Sequence, residues 1–258
     1  MFYGLSLSHP TRLPPPPPKP QPQQPCPPTI PPSFTIQPLL PRDYIEALAL
    51  ADTASATLNS LLFNRYPLSP GSQRKLTDAR LKAIASMPQE SMFMFKAVDT
   101  RTGRIVGVSR WTVSAEDKDV EHGRNSSVDD EVEEILARSI PETNKACARG
   151  FYSMAGNGRR DILGVRDEDG RVVKLVPRVE LQTLFVHPEK GDGVGVASAL
   201  LQWGVEEARR LRVVVYAEAT EEGRPVYERA GFEAVRVVDF DAHVFGGVGT
   251  HRYTVSLD

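Results

Sequence analysis

Between Val179 and Arg210 the chain passes from an apolar run through closely spaced glycines into a second apolar run with a different period. Val179, Leu181, Leu184, Phe185 and Val186 favour a strand, and Pro188 ends its ladder because proline has no N–H to donate. Gly191, Gly193 and Gly195 then permit a turn with positive φ, or a backbone that a ligand approaches closely. Beyond the turn, Ala197, Leu200, Leu201, Val205, Ala208 and Leu211 recur at helical spacing, leaving Gln202, Glu206, Glu207 and Arg210 to face outward. Strand, glycine turn and amphipathic helix in this order specify an α/β chain with a crossover at the turn. A helix that opens in glycines also offers free N–H groups and a positive dipole end, which suits a phosphate-bearing ligand.

Two common phosphate-binding patterns do not fit. A P-loop needs Gly-x4-Gly-Lys-Ser/Thr, yet Gly191 plus five is Val196 and no Lys-Ser/Thr pair follows. A dinucleotide fingerprint needs Gly-x-Gly-x-x-Gly/Ala, and the third small residue is missing in both registers, where Val196 or Ser198 stands instead.

The rest of the chain narrows the class further. With 40% hydrophobic and 25% charged residues, the composition is that of a globular protein. A formal net charge of -2 argues against a general nucleic-acid binder, which would show a basic excess. Cys26 and Cys147 are far apart and form neither a disulfide framework nor a metal-ligand set, so the sequence predicts no metal and a reducing setting. No apolar run approaches the roughly 18 residues of a membrane span, and the opening residues lack a secretory pattern. The expectation is a cytoplasmic or nuclear protein that binds neither membrane nor nucleic acid.

Residues 10–32 hold thirteen of the 22 prolines, a composition that favours polyproline II and cannot bury a core. Residues 1–33 therefore read as a disordered proline-rich tail, and 34–258 as the folded domain. Phe34–Gln37 is predicted as a strand, followed by a helix capped near Asp43 with Ile45, Leu48, Leu50, Ala51 and Ala54 as its apolar face. Ser69–Ser72 reads as a turn and Gln73–Met87 as a second helix. Met92–Val98 and Ile105–Val113 form a hairpin around Gly103. Residues 114–178 read as a variable insert. It opens with an acidic stretch over 114–135 that reads as a solvated loop or an exposed helix face, continues with a helix over Pro141–Tyr152 and ends in a small hairpin closed at Asp169-Gly170. After the central helix come a strand over Arg212–Ala219, a short helix over Gly223–Ala230, and strands over Phe232–Phe240 and His251–Leu257.

Leu184-Phe-Val-His-Pro188, the glycine turn with Val196-Ala-Ser-Ala-Leu-Leu201, and Val226-Tyr-Glu-Arg-Ala-Gly-Phe232 together resemble the GNAT superfamily of N-acetyltransferases. The resemblance is strongest over 179–240. It implies a mixed, mostly antiparallel central sheet flanked by helices, with a splayed strand pair at the cofactor site. It also implies acetyl-CoA as cosubstrate and an amine-bearing acceptor, either a small molecule or a protein. In the family the pyrophosphate rests on a Gln/Arg-x-x-Gly-x-Gly/Ala loop. Helix phase places that loop on Asp192, Gly193, Val194, Gly195, Val196 and Ala197, with Ser198 following. Asp192 then stands where the family has Gln or Arg, and an alternative register beginning at Lys190 shifts the helix by two. An acid beside pyrophosphate is unfavourable, so Asp192 is expected to face solvent while backbone N–H groups bind.

The resemblance further implies that backbone N–H groups of Leu184, Phe185 and Val186 meet the acyl carbonyl and the pantetheine arm, and that Tyr227 protonates the departing thiolate. Glu218 is a candidate general base on its own evidence, because a carboxylate in an otherwise apolar strand is unusual unless it faces a cleft. Glu180 is a second candidate. His187 and Cys147 read as packing residues. A GNAT-like fold that binds acyl-CoA or a partner without catalysis, recruited through the proline-rich tail, remains the alternative.

Overall fold

The computed structural model describes residues 33–114, 127–190 and 194–257. The proline-rich tail, the acidic residues 115–126 and residues 191–193 of the glycine turn lie outside them, and every element below belongs to the unit Pro32–Asp258.

Nine strands and seven helices are described: β1 (Phe34–Pro38), α1 (Tyr44–Ala54), α2 (Ala56–Leu62), α3 (Pro70–Ala85), β2 (Met92–Asp99), β3 (Ile105–Ser114), α4 (Val128–Ala137), α5 (Lys145–Leu163), β4 (Gly164–Arg166), β5 (Val172–Leu175), β6 (Arg178–Val186), α6 (Val194–Leu211), β7 (Val214–Thr220), α7 (Arg224–Arg229), β8 (Glu233–Asp241) and β9 (Thr250–Leu257). Seven strands form one sheet in the order β1-β2-β3-β6-β7-β9-β8, and β4 and β5 pair separately. Only β6 and β7 run parallel, because α6 carries the chain back across the sheet between them. This is the mixed, mostly antiparallel sheet expected.

Alternation along the strands separates two layers. Trp111, Val179, Leu181, Val215 and Ala217 pack against Leu201, Val205 and Ala208 of α6 and against Tyr227 of α7. On the opposite face α1 packs Ala47 and Leu50 on Ile105 and Val108, while Leu163 of α5 packs on Tyr216 and Val255. Two glycines bring α6 close to the sheet. A Cβ on Gly107 would lie 2.7 Å from Val196 Cγ1, and one on Gly204 would overlap the Trp111 ring. Glycine at both points lets helix and strand approach more closely than any side chain would allow.

Several helices differ from their sequence expectation. Ile45 is 60% exposed and Ala47 is buried instead, while Leu50 and Ala51 lie on the inner face of α1 as expected. Asp43 does stand at the start of α1, but its carboxylate accepts from the Leu40 N–H at 2.9 Å and from Lys96 Nζ at 2.7 Å instead of capping the helix. The helix then breaks at Ser55, and α2 follows as a separate element. Pro70 opens α3 because Ser69 caps it by accepting from the Ser72 N–H, so the expected turn is the helix start. Within the acidic stretch, Ser127 and Asp130 form a capping box for α4, and Val128, Val132 and Leu136 are buried. The charges there occupy only the outer side of a packed helix. Asn144 caps α5 three residues later than the predicted start, and the helix continues to Leu163.

Candidate active site at the strand fork

β6 and β7 pair over only four rungs, the last being Leu181 with Ala217. The cause lies on the other side of β6. Trp111 pairs with Leu181 while Arg110 pairs with Thr183, so Gln182 is an extra residue in β6. Such a bulge bends the strand that carries it, and beyond it β6 follows β3 and leaves β7. A fork opens between Gln182–Val186 and Glu218–Thr220.

The edge of β6 facing the fork can be assigned by alternation. His187 donates its N–H to the Val106 carbonyl at 2.9 Å, and Val108 pairs with Phe185, so Phe185 and His187 spend their backbone groups on β3. The N–H groups of Leu184 and Val186 therefore point into the fork. Of the three residues predicted to meet an acyl group through their backbones, two keep a free donor, and Phe185 contributes its side chain instead.

At the N-terminus of α6, Val194 begins the helix, and Val196 and Ala197 are buried against the sheet. Their side chains are committed to the core, leaving the backbone N–H groups of the first turn as the available donors. Gly195 is exposed, with the Phe34 ring 3.4 Å from where a Cβ would stand, and Ser198 is half-buried. Asp192 and Gly193 lie outside the described residues.

Glu218 is the first β7 residue past the last rung, on the face away from α6. It accepts hydrogen bonds from the hydroxyls of Tyr216, at 2.5 Å, and Tyr253. Burial raises its pKa above the usual carboxylate range, and the two tyrosine donors partly oppose that shift. Nearby Glu180 accepts from Arg178 Nε at 2.9 Å and from an Arg159 guanidinium nitrogen at 3.5 Å. Its lone pairs are thus committed to two cations, whereas Glu218 is held by neutral hydroxyls.

Tyr227 sits on the opposite face, 5% exposed, with its ring edge-on to Phe232 at 5.6 Å between centroids. Burial raises its phenol pKa, and the charge of Glu218 raises it further. His187 accepts from the Glu189 N–H at 3.3 Å, and Cys147 is fully buried with its thiol pKa pushed up by desolvation, which leaves it a poor nucleophile.

On the α1 face a cleft opens beside the forked end of β6, lined by Tyr44, Leu48, Met94, Arg110, Thr183 and Phe185. Arg110, Arg159, Tyr216 and Tyr253 were not anticipated from the sequence. Tyr216 was detectable in principle, as a polar group two residues from Glu218 on the same face of an apolar strand.

No family model matches the sequence, and no curated protein matches it. Solved structures do match in shape. An agmatine N-acetyltransferase superposes with a TM-score of 0.52 at 12% identity, covering 88% of this chain and 99% of the other. A Drosophila melanogaster polyamine N-acetyltransferase gives 0.53 at 13% identity, over 87% and 99%. A mosquito arylalkylamine N-acetyltransferase-like protein gives 0.53 at 13% identity, over 88% and 99%. The fold is that of the GNAT acetyltransferases. Among the described residues no helix is long and apolar enough to cross a membrane, and no group of His, Cys, Asp and Glu could hold a metal.

Proposed function

We propose that this protein is an N-acetyltransferase that moves the acetyl group of acetyl-CoA directly to a primary amine. The observation that carries the reading is the fork itself. It has free backbone donors on β6, a half-buried, desolvated carboxylate on one face and a buried phenol on the other.

When bound, acetyl-CoA supplies an activated thioester. The free N–H groups of α6 suit its pyrophosphate, because helix N-termini present donors and positive potential to anions. Leu184 and Val186 offer N–H donors on the open strand edge, where a polarised acyl oxygen would be stabilised. Glu218 takes the proton of the incoming ammonium, whose unperturbed pKa is ~10.4 for a lysine-like amine. Its raised pKa makes it a stronger proton acceptor than an ordinary carboxylate. Tyr227 stays protonated throughout the neutral range and donates to the departing sulfur. Cys147 is buried elsewhere in the core, which favours direct transfer over an acyl-cysteine.

Calorimetric titration of the full chain with acetyl-CoA, followed by an assay of CoA release across an amine panel, tests this. Saturable binding with amine-dependent release is the expected result. No heat at hundreds of micromolar acetyl-CoA, with no release, would sink the reading.

A further inference from the structure

Arg110 lies on the sheet face beneath α1, opposite Met94 on β2 and Thr183 on β6. It lines the cleft with Tyr44, Leu48, Met94 and Phe185, whose surfaces are mainly apolar. Its Nε is buried with no hydrogen-bond partner, and its Nη1 has only the Met87 thioether at 3.9 Å. Among the described residues no carboxylate reaches it. Burial pulls the pKa of its guanidinium down, the sign of a cation short of compensation.

Arg110 as a residue is half-buried, and three other buried or half-buried cations have carboxylate partners. Lys96, on the same face, is paired with Asp43 at 2.7 Å. Arg178 is paired with Glu180 at 2.9 Å, and Arg159 with Glu131 at 2.9 Å. Burying an unpaired guanidinium is costly, and its planar fork matches a carboxylate in two parallel hydrogen bonds. The cleft adjoins Thr183 and Phe185, on the part of β6 that has left β7.

We propose that Arg110 binds the carboxylate of the acceptor, so that the substrate class is an amino acid whose apolar side chain lies along the α1 face. This rests on the acetyltransferase reading and deepens it. The same positive charge opposes purely cationic acceptors such as polyamines.

The test uses matched pairs that differ by one carboxylate: alanine with ethylamine, leucine with isoamylamine, and phenylalanine with 2-phenylethylamine. Each is assayed for CoA release and titrated calorimetrically into the full chain. At least one amino acid should exceed its amine in kcat/KM by roughly 10- to 150-fold, the range of a hydrogen bond to a charged group. Arg110→Gln should bring that ratio to near one, and Arg110→Lys should keep part of it because the charge remains. Equal turnover within every pair, preference for the amines, or a ratio that persists in Arg110→Gln would overturn the assignment while leaving acetyl transfer intact. If acetyl-CoA neither binds nor releases CoA, the acetyltransferase reading falls. Calorimetry then still decides Arg110: amino-acid binding lost in Arg110→Gln upholds the carboxylate site, and no binding overturns it.

Discussion

Glu218 and Tyr227 lie on opposite faces of the sheet, and their environments push both pKa values upward. The consequences differ because one group acts ionised and the other protonated. As pH falls, Glu218 takes up its proton before an ordinary carboxylate would, so kcat/KM should fall along an acidic limb placed above the usual carboxylate range. Glu218→Gln should abolish that limb along with most of the activity. Tyr253→Phe removes a donor that lowers the Glu218 pKa, so it should move the limb to higher pH. A pH–rate profile of each variant checks both expectations, and an unmoved limb in Tyr253→Phe would separate Glu218 from the rate. Tyr227→Phe should lower kcat by roughly 10²- to 10⁴-fold with little change in acetyl-CoA affinity. Equal loss in turnover and affinity would assign the ring to packing with Phe232 alone.

Among the elements, α6 brings its first turn to the fork that the β6 bulge opens, because Val196 and Leu200 pack on the sheet next to β6. Gly204 allows that contact by leaving room for the buried Trp111 ring. Gly204→Ala should therefore destabilise the fold by about 1–3 kcal/mol through overpacking, although alanine is the better helix former. A shift of the urea midpoint at constant slope reads this, and a stabilised variant would refute the close-approach argument. In α4 the Ser127 cap and its reciprocal partner Asp130 hold the helix start. Ser127→Ala should cost about 1 kcal/mol, measured in the same way.

For the molecule as a whole, the desolvated Glu218 carboxylate is a liability for stability. The folded-state pKa of Glu218 lies above its unfolded value, so the folded chain binds the extra proton between the two. Its contribution is fully present below the unfolded pKa and is lost as pH rises through the folded one. Glu218→Gln should therefore flatten part of the stability–pH curve and match or exceed the parent at mildly alkaline pH, while remaining poorly active. Thermal melts of both proteins at acidic and alkaline pH test this. A variant less stable than the parent at every pH would mean that the ionised carboxylate, with its two tyrosine donors, is net favourable.

The strand, the crossover helix and the hairpins were legible from the sequence because period and turn residues are local properties of the chain. Tyr227 and Glu218 could be named in advance for related reasons, one from a motif and one from a charge in an apolar strand. Other features needed the folded molecule. The charges around Asp129 mark an exposed helix face, but the three apolar positions buried on the other side of α4 are easily hidden among them. In α1 the sequence places Leu50 and Ala51 inside correctly, yet Ile45 is apolar and outward while Ala47 is covered, because only the sheet beneath decides the edge of the buried face. Nothing local places Tyr253 on Glu218 or leaves Arg110 uncompensated. Those relations arise where β9 pairs with β7 and α1 closes over β3, between residues far apart in the chain. Sequence by itself determined most strands and the longer helices, though not α2 or α4, and that one strand leads through glycines into a helix. Tertiary structure alone decided where β6 leaves β7, because the extra residue Gln182 has meaning only against the register of β3.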